Sequence, residues 1–480
     1  MVTIPNTNYW LIEQSKCFEN KTAVLAPNTT FSYQQLLNQA ITTAALLHSK
    51  GIDEGDNVCI LSSHCYEFWL VVNALWFLGA VPVPLNTRNT KKEISWQINH
   101  VKAKHLITLN TPHEAKNVNQ IMFDDFDFQA NSSVEASILH STFYTLRSSL
   151  ILFTSGSTGK PKAVVHTFHS MYESVKAIDS KFNLNKSNKW LASLPLYHIG
   201  GFMILVRALL TGSEVVFPAS LNHADLLSEM KKSNPSHVSL VSTTLQRILD
   251  EKIESNTNLE YVFLGGGPLS QQACERAIDA GYQIVKVYGS TETCSMVTAL
   301  KPEEIGLKPD SVGKALSDEI KIKVANESRE ILISSPSLFK EYFNDESATK
   351  AKFIDGFYNT GDFGRIDEGG YLYIDLRRED IIISGGENVS AREVESALLS
   401  IDTIKDAVVF GVFDITWGQK LCAAVVTSQF DETSLIQTLK GKLAGYKIPK
   451  QFFTLSEIPR NEMGKVKREM LMNLLNLDEA

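Results

Sequence analysis

The stretch Ile151–Lys162, ILFTSGSTGKPK, constrains this chain more than any other. Ile151, Leu152 and Phe153 read as a buried strand, because a short apolar run bounded by turn residues fits a strand covered on both faces. The strand runs directly into Thr154, Ser155, Gly156, Ser157, Thr158, Gly159 and Lys160. Gly156 and Gly159 let backbone N–H groups turn inward with no Cβ in the way. The four hydroxyls add donors, and Lys160 and Lys162 add charge. Such a loop after a strand is suited to wrapping phosphates. It is not a Walker A loop, which needs four residues between its glycines and a Ser or Thr after its Lys. Here only Ser157 and Thr158 separate the glycines, and Pro161 follows Lys160. Taken alone, the stretch also reads as a flexible polar turn.

The rest of the chain decides between these readings. Its 480 residues are 44% hydrophobic and 21% charged, a globular composition. At about 150 residues per domain, two to four compact units are expected. A net charge of −8 argues against non-specific nucleic-acid binding, which needs a basic face. Six cysteines are scattered without a CxxC pair, so no zinc site is expected, and they read as free thiols of a reducing cytoplasm. The stretch MVTIPNTNYWLIEQ has no basic region followed by a long apolar one, so no signal peptide is expected. Residues 68–85, FWLVVNALWFLGAVPVPL, carry no charge, but Asn73, Gly79, Pro82 and Pro84 interrupt them. A buried helix to about Phe77 and a short strand at Val81–Val83 fit better than a membrane span, and no membrane insertion is expected.

Before Phe153 helical and strand patterns alternate, although the region around Leu106–Asp125 is less regular. Short buried strands are predicted at Val215–Phe217, His237–Val241, Tyr261–Leu264 and Ile284–Val287, with helical spacers between several of them. After Tyr371 the pattern tightens into short strands, helices near Arg392–Leu399 and Leu435–Ala444, and a strand near Phe452–Leu455. The fold class is therefore α/β: a large layered N-terminal domain over 1–376 and a small α+β domain over 377–480, with the boundary at Leu376–Asp380.

Four further motifs carry possible chemistry. Gly265, Gly266, Gly267 and Pro268 follow the strand at Tyr261–Leu264 and would let the backbone approach a flat ligand. Tyr288, Gly289, Ser290, Thr291, Glu292 and Thr293 follow the strand at Ile284–Val287, at the strand end where α/β sheets gather ligands. Glu292 could hold Mg²⁺ there and Thr291 could donate to a phosphate. A helix N-cap is the competing reading of Ser-Thr-Glu. Tyr358-Asn359-Thr360-Gly361-Asp362 presents a carboxylate on a tight turn, suited to a ribose diol or to a plain β-turn. Pro459-Arg460-Asn461-Glu462-Met463-Gly464-Lys465 places a Lys after a Gly, where it could swing into a cleft.

Together and in this order, with Arg377-Arg378-Glu379-Asp380 and Ile383-Ser384-Gly385-Gly386-Glu387-Asn388, these motifs resemble the core motifs of the adenylate-forming superfamily. The resemblance runs from about residue 20 to 470. It implies that Thr154 to Lys160 bind the pyrophosphate end of ATP, and that Gly265 to Pro268, Tyr288 and Gly289 line the adenine. It further implies that Thr291 meets the α-phosphate, Glu292 holds Mg²⁺, and Asp362 and Arg377 grip the ribose. Lys465 would bridge the substrate carboxylate and the α-phosphate, with His198 at the acyl pocket. The small domain would rotate about Glu379 between two half-reactions, withdrawing Lys465. Leu376 departs from the family, which often has Gly before the Arg.

The implied activity is acid–thiol ligation: a small-molecule carboxylate and ATP give an acyl-adenylate, and CoA then displaces AMP. The run Ser236–Arg247 and the stretch YGSTETCS are most similar to the o-succinylbenzoate–CoA ligases of menaquinone biosynthesis. Medium-chain fatty-acyl and aryl (coumarate-type) CoA ligases share the core motifs and remain alternatives. A carrier-protein-loading adenylation domain fits less well, because His198-Ile199-Gly200-Gly201 offers no acid for an α-amino group. A spectator carboxylate on the substrate would need a cation, because burying it unpaired is costly. Arg207, in the apolar helix predicted at Phe202–Leu210, and Arg88 are the candidates, although a lone arginine in such a helix ordinarily snorkels to solvent. The expected location is cytoplasmic, and a homo-oligomer is compatible with the sequence.

Overall fold

The computed structural model describes residues 9–109, 118–122, 147–154, 161–251, 258–265, 271–326, 328–377, 381–384, 387–414, 417–443 and 445–477. Its largest sheet has nine strands among the described residues. At its centre Lys189–Leu191, His237–Leu240, Tyr261–Leu264 and Ile284–Ser290 lie parallel. Parallel strands covered on both faces read as continuous apolar runs, as Tyr261–Leu264, YVFL, does. Ser295–Leu300 then returns antiparallel beside Ile284–Ser290.

A second, parallel sheet contains Val81–Leu85, Asn57–Ser62, His105–Leu109 and Asn119–Met122. Two of its strands lie in the stretch expected to be irregular. They were hard to read because each is only four or five residues long. Between the sheets lies the helix Glu67–Phe77, buried at every position from Phe68 to Phe77. It is eleven residues long, and the strand Val81–Leu85 follows. Trp69, Trp76, Phe168 and Phe202 meet edge-on around it, which explains the charge-free run without a bilayer. Among the described residues no helix is long and apolar enough to cross a membrane.

The helix Ile199–Thr211 is also buried along nearly all its length. Gly201 is needed near its start, because a Cβ there would fall 2.2 Å from the Pro195 carbonyl oxygen. The preceding Leu194–His198 turn therefore folds tightly onto the helix.

Residues after 381 build their own sheet from Glu387–Ser390, Ile381–Ser384, Gly418–Thr427, Ile404–Asp414 and Gln451–Thr454. Helices Ala391–Leu399 and Glu432–Lys440 pack Val394, Leu398, Leu435 and Leu439 against it. The second helix starts earlier than the apolar pattern suggested, because the Asp431 side chain caps it by accepting from the Ser434 amide.

Candidate active site

Thr154 ends the strand Ser148–Thr154 and pairs with Lys162, the first residue of the antiparallel strand Lys162–Thr167. The two ends of the candidate phosphate loop are thereby pinned together. Ser155, Gly156, Ser157, Thr158, Gly159 and Lys160 lie outside the described residues. On the other side of Lys162–Thr167, the two-residue strand Glu341–Tyr342 pairs Tyr342 with Val164. Lys162 Nζ sits 4.5 Å from the centre of the Tyr342 ring. Tyr342 donates from its hydroxyl to Glu292 Oε1 at 2.9 Å. Burial, reinforced by Glu292, pushes the Tyr342 phenol well up, so it stays a donor. The hairpin that bears the candidate phosphate loop is therefore joined through one tyrosine to the candidate metal carboxylate.

Glu292 and Thr291 stand on the turn between Ile284–Ser290 and Ser295–Leu300, not at the start of a helix. The helix-cap reading fails because Cys294 and Ser295 take φ of 56° and 86°, which reverses the chain. Gly289 permits the reversal: a Cβ there would lie 1.9 Å from the Ser295 carbonyl oxygen. Thr293 Oγ1 accepts from the Ser290 amide at 2.7 Å and closes the turn. From beneath, buried His166 places Nε2 2.9 Å from the Thr291 carbonyl oxygen. A carbonyl only accepts, so Nε2 carries the proton. Burial holds the His166 pKa at about 4, keeping the ring neutral.

Tyr288 donates to Asp362 Oδ2 at 2.7 Å, joining the candidate adenine and ribose residues. Asp362 is in register with Arg377 across an antiparallel pair, so those two backbones are adjacent. Thr360 Oγ1 accepts from the Asp362 amide at 3.0 Å and fixes the turn. Gly265 directly follows the strand Tyr261–Leu264, with its amide 3.3 Å from the Leu240 carbonyl oxygen. Gly266, Gly267 and Pro268 lie outside the described residues, as does Glu379.

His198 precedes the helix Ile199–Thr211 without capping it. Burial lowers its pKa to about 4, and its ring lies 4.8 Å from that of Tyr197. Further along the helix, Arg207 does not snorkel to solvent: its side chain is fully buried. The helix is apolar all round and covered on every side, which leaves a long side chain no route to water. Arg207 Nη2 donates to Ser295 Oγ at 2.9 Å, and the guanidinium lies 5.5 Å from the Trp190 ring centre. Its Nε and Nη1 have no partner among the described residues, nor do His237 Nε2 and Ser239 Oγ. Burial brings the Arg207 pKa down to about 10 and leaves it charged. Buried polar groups are normally satisfied, so this cluster needs an explanation. Arg88, by contrast, is 58% exposed and pairs with Glu462.

Lys465 is exposed on a loop closed by the Arg460–Val466 bridge. Three residues earlier, Glu462 accepts from the Tyr197 hydroxyl and meets Arg88 Nε. Met463 packs against the core of the large N-terminal part. The Lys465 loop is thus held against Tyr197, the residue before His198.

The fold has known counterparts. The AMP-binding enzyme family matches residues 11–343, and the AMP-binding enzyme C-terminal domain matches residues 393–465. The chain belongs to the AMP-binding enzyme family. Within it, the 2-succinylbenzoate–CoA ligase of Bacillus licheniformis is 34% identical, over 96% of this chain and 98% of that one. The same-named protein of Listeria monocytogenes is 32% identical with the same coverage. Two similar solved structures are complexes of the o-succinylbenzoate CoA synthetase of Bacillus subtilis. The complex with the acyl-adenylate intermediate has a TM-score of 0.90, at 31% identity and 98% coverage of both chains. The complex with ATP and magnesium ion has a TM-score of 0.89, at 31% identity, covering 97% of this chain and 99% of that one.

Of the residues that the family resemblance singles out, the structure brings Thr154, Thr291 and Glu292 into one connected group through His166 and Tyr342. It brings Tyr288 and Asp362 into contact. It seats the Lys465 loop on Tyr197, the residue before His198. The sequence reading missed Tyr342, His166 and Glu462. The phenol acts on a motif residue 50 positions away in the chain and the imidazole on one 125 positions away, and no local pattern marks such a partner.

Proposed function

We propose that this chain is an AMP-forming acid–CoA ligase that makes o-succinylbenzoyl-CoA from 2-succinylbenzoate, ATP and CoA, a step of menaquinone biosynthesis. The observation that carries the chemistry is the link Lys162–Tyr342–Glu292, which ties a phosphate-loop hairpin to a carboxylate. The near full-length likeness to 2-succinylbenzoate–CoA ligases supports the substrate.

In the first half-reaction a substrate carboxylate oxygen attacks the α-phosphorus of ATP, and the bond to the leaving pyrophosphate breaks. A carboxylate is a poor nucleophile towards an anionic phosphate, so cations must neutralise the crowded oxygens in line. In this reading Thr154 to Lys160 hold the β- and γ-phosphates. Thr291 donates to the α-phosphate, and Lys465 spans it and the incoming carboxylate. Magnesium is ordinarily held by one or two carboxylates plus phosphates, and Glu292 fits that need: Tyr342 occupies Oε1 and orients Oε2. Bound there, the ion would supply positive charge to the phosphate oxygens. Tyr288 and Gly265 to Pro268 would flank the adenine, and Asp362 with Arg377 the ribose. In the second half-reaction the CoA sulfur attacks the acyl carbon and AMP leaves. Cys294 is buried behind the turn, and neither step needs it.

The division at 1–376 and 377–480 belongs to this proposal. The separate sheet and core after residue 381 support it. So does the need to bring Lys465 in for one step and withdraw it for the next. Arg207 supports the diacid: its Nε and Nη1, without a partner among the described residues, would satisfy a spectator carboxylate, and a fatty-acyl tunnel would not offer such donors. Cytoplasmic location fits a set of free cysteines.

The test is ATP consumption with CoA and a panel of acids. 2-Succinylbenzoate should be used far faster than decanoate, benzoate or coumarate. Arg207→Ala should raise KM for the diacid without a matching loss on a monoacid analogue. A preference for decanoate or coumarate overturns the substrate and leaves the adenylation chemistry standing.

A further inference from the structure

The loop that carries Lys465 is a preformed unit. Arg460 grips Asp406 with Nε at 3.1 Å and Nη2 at 2.7 Å, and its Nη1 donates to the Gly464 carbonyl at 2.9 Å. Asn461 Oδ1 accepts from the amides of Met463 at 3.0 Å and Lys465 at 2.9 Å. All these bonds lie within residues 406–465, so they travel with the small domain wherever it goes. They fix Lys465 relative to Glu462, but they do not fix either relative to ATP.

Glu462 makes the polar contacts that reach outward. Its two carboxylate oxygens take different partners: one accepts from the Tyr197 hydroxyl, the other meets Arg88 Nε. Both partners are held by their own surroundings. Tyr197 packs its ring 4.8 Å from that of His198, its neighbour in the chain. Arg88 follows the strand Val81–Leu85 on a turn in which Asn86 Oδ1 accepts its amide at 2.8 Å. Two points of contact on one short side chain fix its position and its direction.

The contact is also easily undone. The Glu462 side chain is 16% exposed, but that of Arg88 is 58% exposed. An ion pair with one solvated partner contributes little net stability. Burial of Glu462 opposes its charge, while Arg88 and Lys467 favour it. A contact with precise geometry and small net energy suits a domain that must dock and undock in every turnover.

We propose that Glu462 is a positioning residue: gripped by Tyr197 and Arg88, it seats the Lys465 loop at the acyl pocket for adenylation and is released for thioester formation. This rests on the role for Lys465 given above, and the two can fail separately.

The experiment measures both half-reactions on the full chain. Pyrophosphate release with 2-succinylbenzoate and ATP reports the first. Conversion of preformed acyl-adenylate by CoA reports the second. Glu462→Ala should slow the first about tenfold, the effect of losing roughly 1.4 kcal/mol of positioning, and leave the second unchanged or faster. An intact second step in the same sample also shows that the variant is folded. Arg88→Ala should act in the same direction. The double variant should be no slower than the slower single, because both remove one contact. Unchanged adenylation in Glu462→Ala, equal slowing of both steps, or multiplying losses in the double variant would overturn the proposal. If Lys465→Ala abolishes adenylation while Glu462→Ala does not slow it, only the role of Glu462 falls. If Lys465→Ala itself retains adenylation, the reading of Lys465 falls, and the role of Glu462 falls with it.

Discussion

The two sides of the candidate site are built in opposite ways. On the large side, Glu292, Thr291, Tyr288 and Asp362 are bonded into sheets: Tyr342 holds Glu292, His166 holds the Thr291 carbonyl, and Tyr288 and Asp362 hold each other. On the small side Lys465 is exposed, and its loop reaches across through Glu462 and the packing of Met463. The difference follows from the chemistry. Nucleotide is bound throughout both half-reactions, so the groups that hold it gain from rigidity. In the proposed mechanism the charge of Lys465 is needed only while two anions are forced together. A residue needed for one step is best carried on a part that can leave.

The largest expected effect breaks the detachable side. Lys465→Ala should lower adenylation by about three or more orders of magnitude, since it removes a cation aimed at developing charge. Pyrophosphate release under single-turnover conditions measures it. A loss below tenfold would mean that Lys465 does not bridge carboxylate and phosphate.

On the wired side Glu292→Gln keeps the shape and removes the charge. ATP-dependent turnover should fall by about two to three orders of magnitude, with a raised Mg²⁺ requirement. A magnesium titration of steady-state turnover checks this, and wild-type dependence would leave Glu292 as a structural turn residue.

A smaller effect sharpens the contrast. Tyr342→Phe removes one hydroxyl that touches Glu292 and leaves the strand pairing with Val164 intact. Losing such an orienting partner typically costs about 10- to 100-fold in metal affinity or activity. The expected signature is a shifted Mg²⁺ dependence with KM for 2-succinylbenzoate unchanged. Equal changes in both would point to general loosening.

How far the sequence foretold the site depends on distance along the chain. The strand before Thr154, the placement of Tyr288–Thr293 at a strand end, and the buried helix ending at Phe77 were all legible, because each rests on local apolar patterning and turn residues. Tyr342 was not legible: it meets Glu292 only because Glu341–Tyr342 adds a third strand to the phosphate-loop hairpin. The turn at Cys294–Ser295 was missed because the left-handed backbone there falls on residues other than glycine. Arg207 was misjudged by a rule for half-exposed helices, although the charge-free run Phe202–Val206 already marked a helix covered on all sides. Glu462 looks like surface charge until its partners from the other part of the chain are in place.

The smallest effect concerns acid. Burial lowers His64, His166, His198 and His237 to about 4, and all four belong to the large part. No histidine follows His237 in the chain. A folded-state pKa held below the unfolded value of about 6.5 gives stability that is present above pH 6.5 and is lost as the pH falls towards 4. The large part should therefore lose resistance to urea across that window while the small part does not. Urea unfolding of the full chain at several pH values, followed by hydrogen exchange in each part, measures it. His166→Asn should flatten the slope of the large part, and equal acid sensitivity in both parts would contradict the assignment.

The division of labour between the two sides is tested most directly by giving Lys465→Ala a preformed o-succinylbenzoyl-adenylate and CoA, and following thioester formation in a single turnover. The expected result is a rate within a few-fold of wild type in a variant that no longer makes the adenylate. A loss of thioester formation as deep as the loss of adenylation would contradict it, and would make Lys465 a structural part of the whole site.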